Sequence, residues 1–218
     1  MKGRKATSKL LSMNKKMRNT SNQLVHEEPE SYWIPPTTFR VAESFEEFVA
    51  LNPDLSVEQN PNGQIVIVSP VGSEGSNREI EISFQLQKWT RTNHGKAFSA
   101  SVLFTFPDGS KRGPDASWIA TERWEALSKE DREAFAPICP DFVIELRSRS
   151  DRMKDLNQKM IDYRANGVRL GWLIDPYERQ VYIYRPNREI EVLAEPASLS
   201  GEDVLPDFVL DLLPIWAT

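Results

Sequence analysis

An acid stands in the middle of an apolar strand. Along Asp141-Phe-Val-Ile-Glu-Leu-Arg147, side chains alternate. Phe142, Ile144 and Leu146 therefore share one face, and Asp141, Val143, Glu145 and Arg147 share the other. A carboxylate among apolar neighbours is costly to bury unpaired, so the rest of the chain must give Glu145 a partner or a task. The segment after this strand narrows the fold. Asp151 reads as the cap of a helix running to Asn166, with Leu156, Met160 and Tyr163 as its inward stripe and Gly167 as its stop. Residues 168–175, 180–185 and 189–194 read as three more strands. The pattern predicts a mixed α/β (α+β) domain with one central sheet flanked by helices.

Upstream, Ser44-Phe-Glu-Glu-Phe has a capping serine and first-turn acids, predicting a short helix over 45–51. Asn60-Pro-Asn-Gly is a turn feeding an alternating strand at 64–69. Pro70-Val-Gly-Ser opens a long helix over 74–92, whose apolar positions Ile80, Phe84, Leu86 and Trp89 recur near helical spacing. Residues 97–106 alternate like a strand, and Pro107-Asp-Gly-Ser is a hairpin loop into a second strand near 113–120. Ser128-Lys-Glu-Asp is a capping box for a short helix on an excursion ending near Pro137. No internal repeat and no glycine-rich phosphate loop is present.

Composition excludes several classes. No stretch of the 218 residues approaches the ~18 consecutive apolar side chains of a membrane-spanning helix. A single cysteine, Cys139, forbids an intramolecular disulfide and reads as a structural thiol. Two histidines, His26 and His94, cannot build a His/Cys zinc site. Carboxylates are plentiful, so a metal here would be a hard ion held by oxygen. The lone thiol and the absence of an apolar signal segment predict a reducing cytoplasm. The net charge of −5 hides an asymmetry. Residues 1–26 carry seven basic and no acidic side chains, whereas the remaining 192 carry 20 basic and 32 acidic ones. Residues 1–33 are therefore expected to be a basic, disordered tail ahead of a single domain over 34–218. That tail reads as a tether for phosphate backbones, as a poorly structured leader, or as residues upstream of a true start at Met13 or Met17.

The chemistry concentrates at two acids. Pro114-Asp115 leads into the apolar strand Ala-Ser-Trp-Ile-Ala, and Glu145 follows thirty residues later. Two acids on adjacent strands can share a divalent cation, which removes the cost of burying them. Asp141 cannot partner Glu145 in this way, because four residues along one strand separate them by about 13 Å. Each acid also has a plainer reading. Asp115 can be a turn residue after Pro114, and Glu145 can be ion-paired to Arg147 or to a neighbouring strand. Asp175, before Pro176, reads as a strand end in a turn. The tryptophans read as core or interface.

In order and spacing these motifs resemble a large bacterial family of endonucleases in the restriction-endonuclease-like PD-(D/E)xK superfamily, once catalogued as a domain of unknown function. The resemblance runs from Ser44 to Asp211. It is carried by Phe45-Glu-Glu-Phe, Ile67-Val-Ser-Pro-Val-Gly-Ser-Glu74, Pro114-Asp115, Pro140-Asp-Phe-Val-Ile-Glu145-Leu-Arg-Ser-Arg-Ser-Asp151, Lys159-Met-Ile-Asp-Tyr163, Asn166-Gly-Val and Trp172-Leu-Ile-Asp-Pro176. It implies a restriction-endonuclease-like core and metal-dependent hydrolysis of a phosphodiester. Asp115, Glu145 and the carbonyl of Leu146 would bind Mg2+ or Mn2+, with Glu74 as an accessory ligand. The superfamily lysine expected two residues after the second acid is replaced by Arg147, which can clamp a phosphate but cannot act as a base.

Lys159, from the next helix, matches the position from which the family commonly supplies a lysine. Glu74 has a plainer reading as a first-turn helix acid, and Lys159 as an i,i+4 partner of Asp155. Arg149 stands where relatives carry proline. The implied substrate is nucleic acid, DNA rather than RNA, and cutting both strands with one site per subunit calls for a homodimer. The alternative is a catalytically silent nucleic-acid-binding or regulatory module on the same fold, a reading that Arg147 favours.

Overall fold

The computed structural model describes residues 42–217. The basic tail expected over 1–33, and the start of the domain expected over 34–218, lie outside the described residues. In chain order the elements are α1 (Phe45–Leu51), β1 (Val57–Gln59), β2 (Ile65–Ile67), α2 (Ser73–Thr90), β3 (Lys96–Ser99), β4 (Phe104–Thr105), β5 (Lys111–Arg112), β6 (Ala116–Ile119), α3 (Thr121–Glu125), α4 (Lys129–Glu133), β7 (Phe142–Leu146), α5 (Met153–Ala165), β8 (Leu170–Asp175), β9 (Gln180–Tyr184), β10 (Glu191–Ala194), β11 (Ser198–Ser200), β12 (Val209–Asp211) and α6 (Leu213–Trp216).

The central sheet has six strands in the order β10-β9-β8-β7-β6-β3. Its β7 and β8 run parallel, in register Glu145↔Leu173, and α5 makes the crossover that parallel neighbours require. The other pairings are antiparallel. All five residues of β7 and all six of β8 are buried, as expected of strands covered on both faces. On one face Phe142, Ile144 and Leu146 pack with Trp172, Phe208 and the inner side of α2. On the other, Val143 and Leu173 meet Met160 and Tyr163 of α5.

The sequence predicts a single sheet; the described residues form three. A four-stranded sheet, β2-β1-β5-β4, and the two-stranded β11-β12 accompany the central one. The run expected as one strand over 97–106 divides, with β3 in the central sheet and β4 in the four-stranded one. Alternation continues through it, but Leu103 packs with the Phe45, Phe48 and Val57 cluster, and this redirects the chain. The turn at Pro107–Ser110 forms, with Gly109 at φ +83°, but it joins β4 to the two-residue β5 at 111–112. The strand expected near 113–120 is β6, which pairs with β3 and β7 in the central sheet.

Two helices differ from expectation. Asp151 does not cap α5: its Oδ2 accepts the Ser148 N–H at 2.7 Å, a local turn that competes with capping, and the helix begins at Met153. In α2 the buried positions are Arg78, Ile82, Leu86 and Thr90, whereas Ile80 and Phe84 are 67% and 59% exposed. The guanidinium of Arg78 donates to the Ile215 carbonyl at 3.1 Å. This contact with α6 fixes the inward face four residues at a time.

Cys139 is buried in the α5-side core, where burial pushes its thiol from an ordinary 9.0 up to about 12. A buried thiol raised in this way carries little of the thiolate, the reactive form. Alkylation at pH 8 is therefore expected to be at least about 100-fold slower in the folded protein than in denaturant. Mass spectrometry of timed samples reads this directly. Comparable rates in both states would contradict the burial.

Candidate active site

Three elements converge beside the C-terminal end of β7. Asp115 lies one step before β6, and the register Ala116↔Ile144 sets it across from the end of β7. Its Oδ2 accepts the Leu146 N–H at 2.6 Å. Glu145, 3% exposed, accepts the Tyr163 hydroxyl on Oε1 at 2.7 Å. The Lys159 ammonium lies 3.0 and 3.1 Å from the two Glu145 oxygens. Lys159 precedes Met160 of the buried stripe, so its stem runs along the edge of the α5 face and its head enters the space between sheets.

There the ammonium meets a residue from the smaller sheet. Glu58 of β1 lies 2.9 Å from Lys159 through Oε1, which also accepts the Gly113 N–H at 3.0 Å; its Oε2 accepts Arg112 at 3.2 Å. Lys159 completes its donations with the Gly113 carbonyl at 3.3 Å. All of these groups except Tyr163 border one cleft of about 1080 Å3, whose remaining wall is partly apolar, including Val66, Val68 and Leu103, and partly polar, including Gln64, Ser101 and Ser148.

A family profile described as "Putative restriction endonuclease" matches residues 42–213. The chain belongs to the Uma2 family. That membership places it among nucleases and in the restriction-endonuclease-like superfamily. A crystal structure described as a putative nuclease belonging to DUF820, from Anabaena variabilis ATCC 29413, is similar in fold. It has a TM-score of 0.66 and 23% identity, and the match covers 75% of this chain and 91% of that one. A DrdV–DNA complex seen by cryo-electron microscopy gives a TM-score of 0.33 at 14% identity, over 55% of this chain and 12% of that one. No curated protein matches. Among the described residues, no helix is long and apolar enough to cross a membrane.

The electrostatics of this Uma2 site are those of carboxylates short of positive charge. Burial pushes the Asp115 carboxyl up to about 6, with Lys159 and the Leu146 N–H opposing and Glu79 and Asp151 adding to the rise. Burial likewise raises Glu145 to about 8; Lys159 opposes, and Asp115 and Glu58 add to it. Glu79 of α2 is also raised, by burial and by Glu145. Burial pushes Glu58 up as well, but Lys159, the Gly113 N–H and Arg112 hold it below the usual range. Lys159 is itself raised: burial opposes its charge, and Glu145, Glu58 and Asp115 outweigh burial.

A hard divalent cation fits this donor set, since carboxylate and carbonyl oxygens are its preferred ligands and added positive charge would offset what burial costs Asp115 and Glu145. Among the described residues, no three His, Cys, Asp or Glu side chains already stand together as a finished metal cluster. Lys159 lies between Glu58 and Glu145 instead.

Of the residues singled out in the sequence, the fold brings Asp115, Glu145, Leu146 and Lys159 together. Glu74 is exposed in the first turn of α2 and does not border the cleft; the α2 acid that does is Glu79. Five residues along a helix turn a side chain through about 140°, so the two acids point differently. Arg147 leaves the cleft. Its Nη1 donates to Asp175 at 2.6 Å and its guanidinium lies over the Tyr177 ring at 5.8 Å. Asp175 ends β8 in a turn, accepting the Tyr177 and Glu178 N–H groups. Asp141 is buried apart from the site, paired with Arg123 at 2.9 Å. Glu58 and Glu79 are site acids that sequence reading missed.

Proposed function

We propose that this protein is a metal-dependent endonuclease that hydrolyses phosphodiester bonds of DNA. Asp115, Glu145 and the Leu146 carbonyl would hold Mg2+ or Mn2+, with Glu79 rather than Glu74 as the accessory acid. When bound, the ion would supply Lewis-acid polarisation of the phosphodiester and a water acidified for attack. The chain's own residues supply the rest. Leu146 N–H orients Asp115, and Tyr163 orients Glu145. Lys159 brings a permanent positive charge to the cleft floor, where negative charge develops on a reacting phosphate. Arg147, tied to Asp175, serves the strand end and not the phosphate. A homodimer would present one such site to each strand of a duplex.

The observation that carries the reading is the pair of buried carboxylates at the ends of adjacent central strands, each raised above its ordinary range and both facing one cleft. Lys159 within hydrogen-bond distance of Glu145 supports this reading over a silent module, since arginine at position 147 does not leave the site without a lysine. Calorimetry tests it. The wild type is expected to bind Mn2+, and Asp115→Ala and Glu145→Ala are each expected to abolish binding. No uptake by the wild type at millimolar Mn2+ would overturn the reading, and so would binding that survives both substitutions.

A further inference from the structure

We propose that Glu58 is a positioning residue that holds the Lys159 ammonium away from sole attachment to Glu145, leaving Glu145 available to a cation. This role rests on the metal-site reading. Glu58 does not belong to the strands that carry the acid pair. It comes from β1 of the four-stranded sheet and reaches the site from the opposite wall. Its side chain is 7% exposed and both oxygens are in use. Oε1 accepts from Lys159 and from the Gly113 N–H, and Oε2 accepts from Arg112. Three donors aimed at one carboxylate leave it little capacity for a cation, which argues against Glu58 as a ligand.

Glu145 is built differently. It has one neutral donor, Tyr163, and one charged donor, Lys159. Lys159 is therefore shared between a carboxylate saturated with donors and one that is not. If Glu58 loses its charge, Glu145 becomes the only carboxylate within hydrogen-bond distance of the ammonium, and Lys159 then competes with a cation for the same oxygens. Glu58 has a second hold on the site. Gly113 lies two residues before Asp115, and the chain there passes so close to the Val102 carbonyl that a Cβ would sit 2.6 Å from it. The N–H bond to Glu58 fixes the backbone that delivers Asp115.

A double-mutant cycle, read as Mn2+ affinity by calorimetry, separates this role from a simple charge effect. The four proteins are the wild type, E58Q, K159M and the double variant. E58Q is expected to weaken Mn2+ binding about tenfold with Lys159 present, the scale of one charge-assisted hydrogen bond. With Met at 159, the same substitution should cost under about threefold. Equal losses in both backgrounds would overturn the proposal, because Glu58 would then act through its own charge or as a ligand. Unchanged binding in E58Q, in a wild type that binds, would overturn the positioning role alone. A wild type that binds no Mn2+ would overturn the metal site and this role with it. Melting curves establish that each variant folds. Should E58Q fail to fold, Glu58→Asp takes its place in the cycle, keeping the charge but falling one methylene short of Lys159, with the same loss and the same dependence on Lys159 expected.

Discussion

Glu145→Gln is expected to lower Mn2+-dependent cleavage of DNA by about 10³-fold or more while leaving the protein folded. The size follows from the chemistry assigned to the site: a Lewis acid contributes several kcal/mol of transition-state stabilisation, and each ~1.4 kcal/mol is tenfold in rate. Gln keeps the shape, and its amide oxygen can still accept the Tyr163 hydroxyl, but its NH2 replaces the oxygen to which Lys159 donates at 3.1 Å. Burial already raises Glu145 to about 8, so the folded protein favours the neutral side chain. The metal-free melting temperature of Glu145→Gln should therefore stay close to that of the wild type, relief of the buried charge offsetting the lost Lys159 contact. Asp115→Asn should show a similar loss of rate, since its carboxylate too is raised by burial. Single-turnover cleavage and melting curves on the same preparations check both halves. A variant that keeps more than about a tenth of the wild-type rate would remove that carboxylate from the reaction.

The pair is legible in sequence because each acid stands against a strong local pattern. Glu145 interrupts a strand whose alternation runs from Asp141 to Arg147, and Pro114-Asp115 opens a strand that the register then sets beside it. Lys159 is legible through its place beside Met160 in a helical stripe. Glu58 is not. The strand Val57–Gln59 is three residues long, too short to show alternation, and its link to the site depends on the long-range pairing Gln59↔Lys111. Nothing local distinguishes Glu58 from an exposed acid.

Glu79 was hidden by a different cause. Reading the inward face of α2 from Ile80 and Phe84 follows apolarity, but tertiary packing turns Ile82 and Leu86 inward and lets Arg78 bury its head against α6. Glu74 entered only through its match to the family's first acidic position, and the α2 acid that borders the cleft is Glu79. Arg147 shows the limit of motif position. Its place two residues after Glu145 puts it on the site's side of the strand, yet Asp175, at the end of the neighbouring strand β8, takes its guanidinium.

Trp172→Ala is expected to be the most damaging of single core truncations, costing about 3–5 kcal/mol. Trp172 is fully buried at the middle of β8, the strand between β7 and β9. Its ring stacks on Phe208 at 6.1 Å and 14°, and meets Phe142 edge-on at 4.7 Å. Truncation removes the largest fully buried side chain, and the surrounding strands are hydrogen-bonded on both sides, so the sheet cannot collapse to fill the space. The cavity lies on the opposite face of β7 from Glu145, and Mn2+ affinity measured below the melting transition should be unchanged. Trp172→Phe separates volume from polarity. The indole Nε1 is buried without a hydrogen-bond partner, so phenylalanine sheds an unsatisfied donor as well as some volume. Its cost should stay below about 1.5 kcal/mol. Urea unfolding of the three proteins measures both values. Equal destabilisation by Ala and Phe would show that this position depends on the indole nitrogen and not on filling the core.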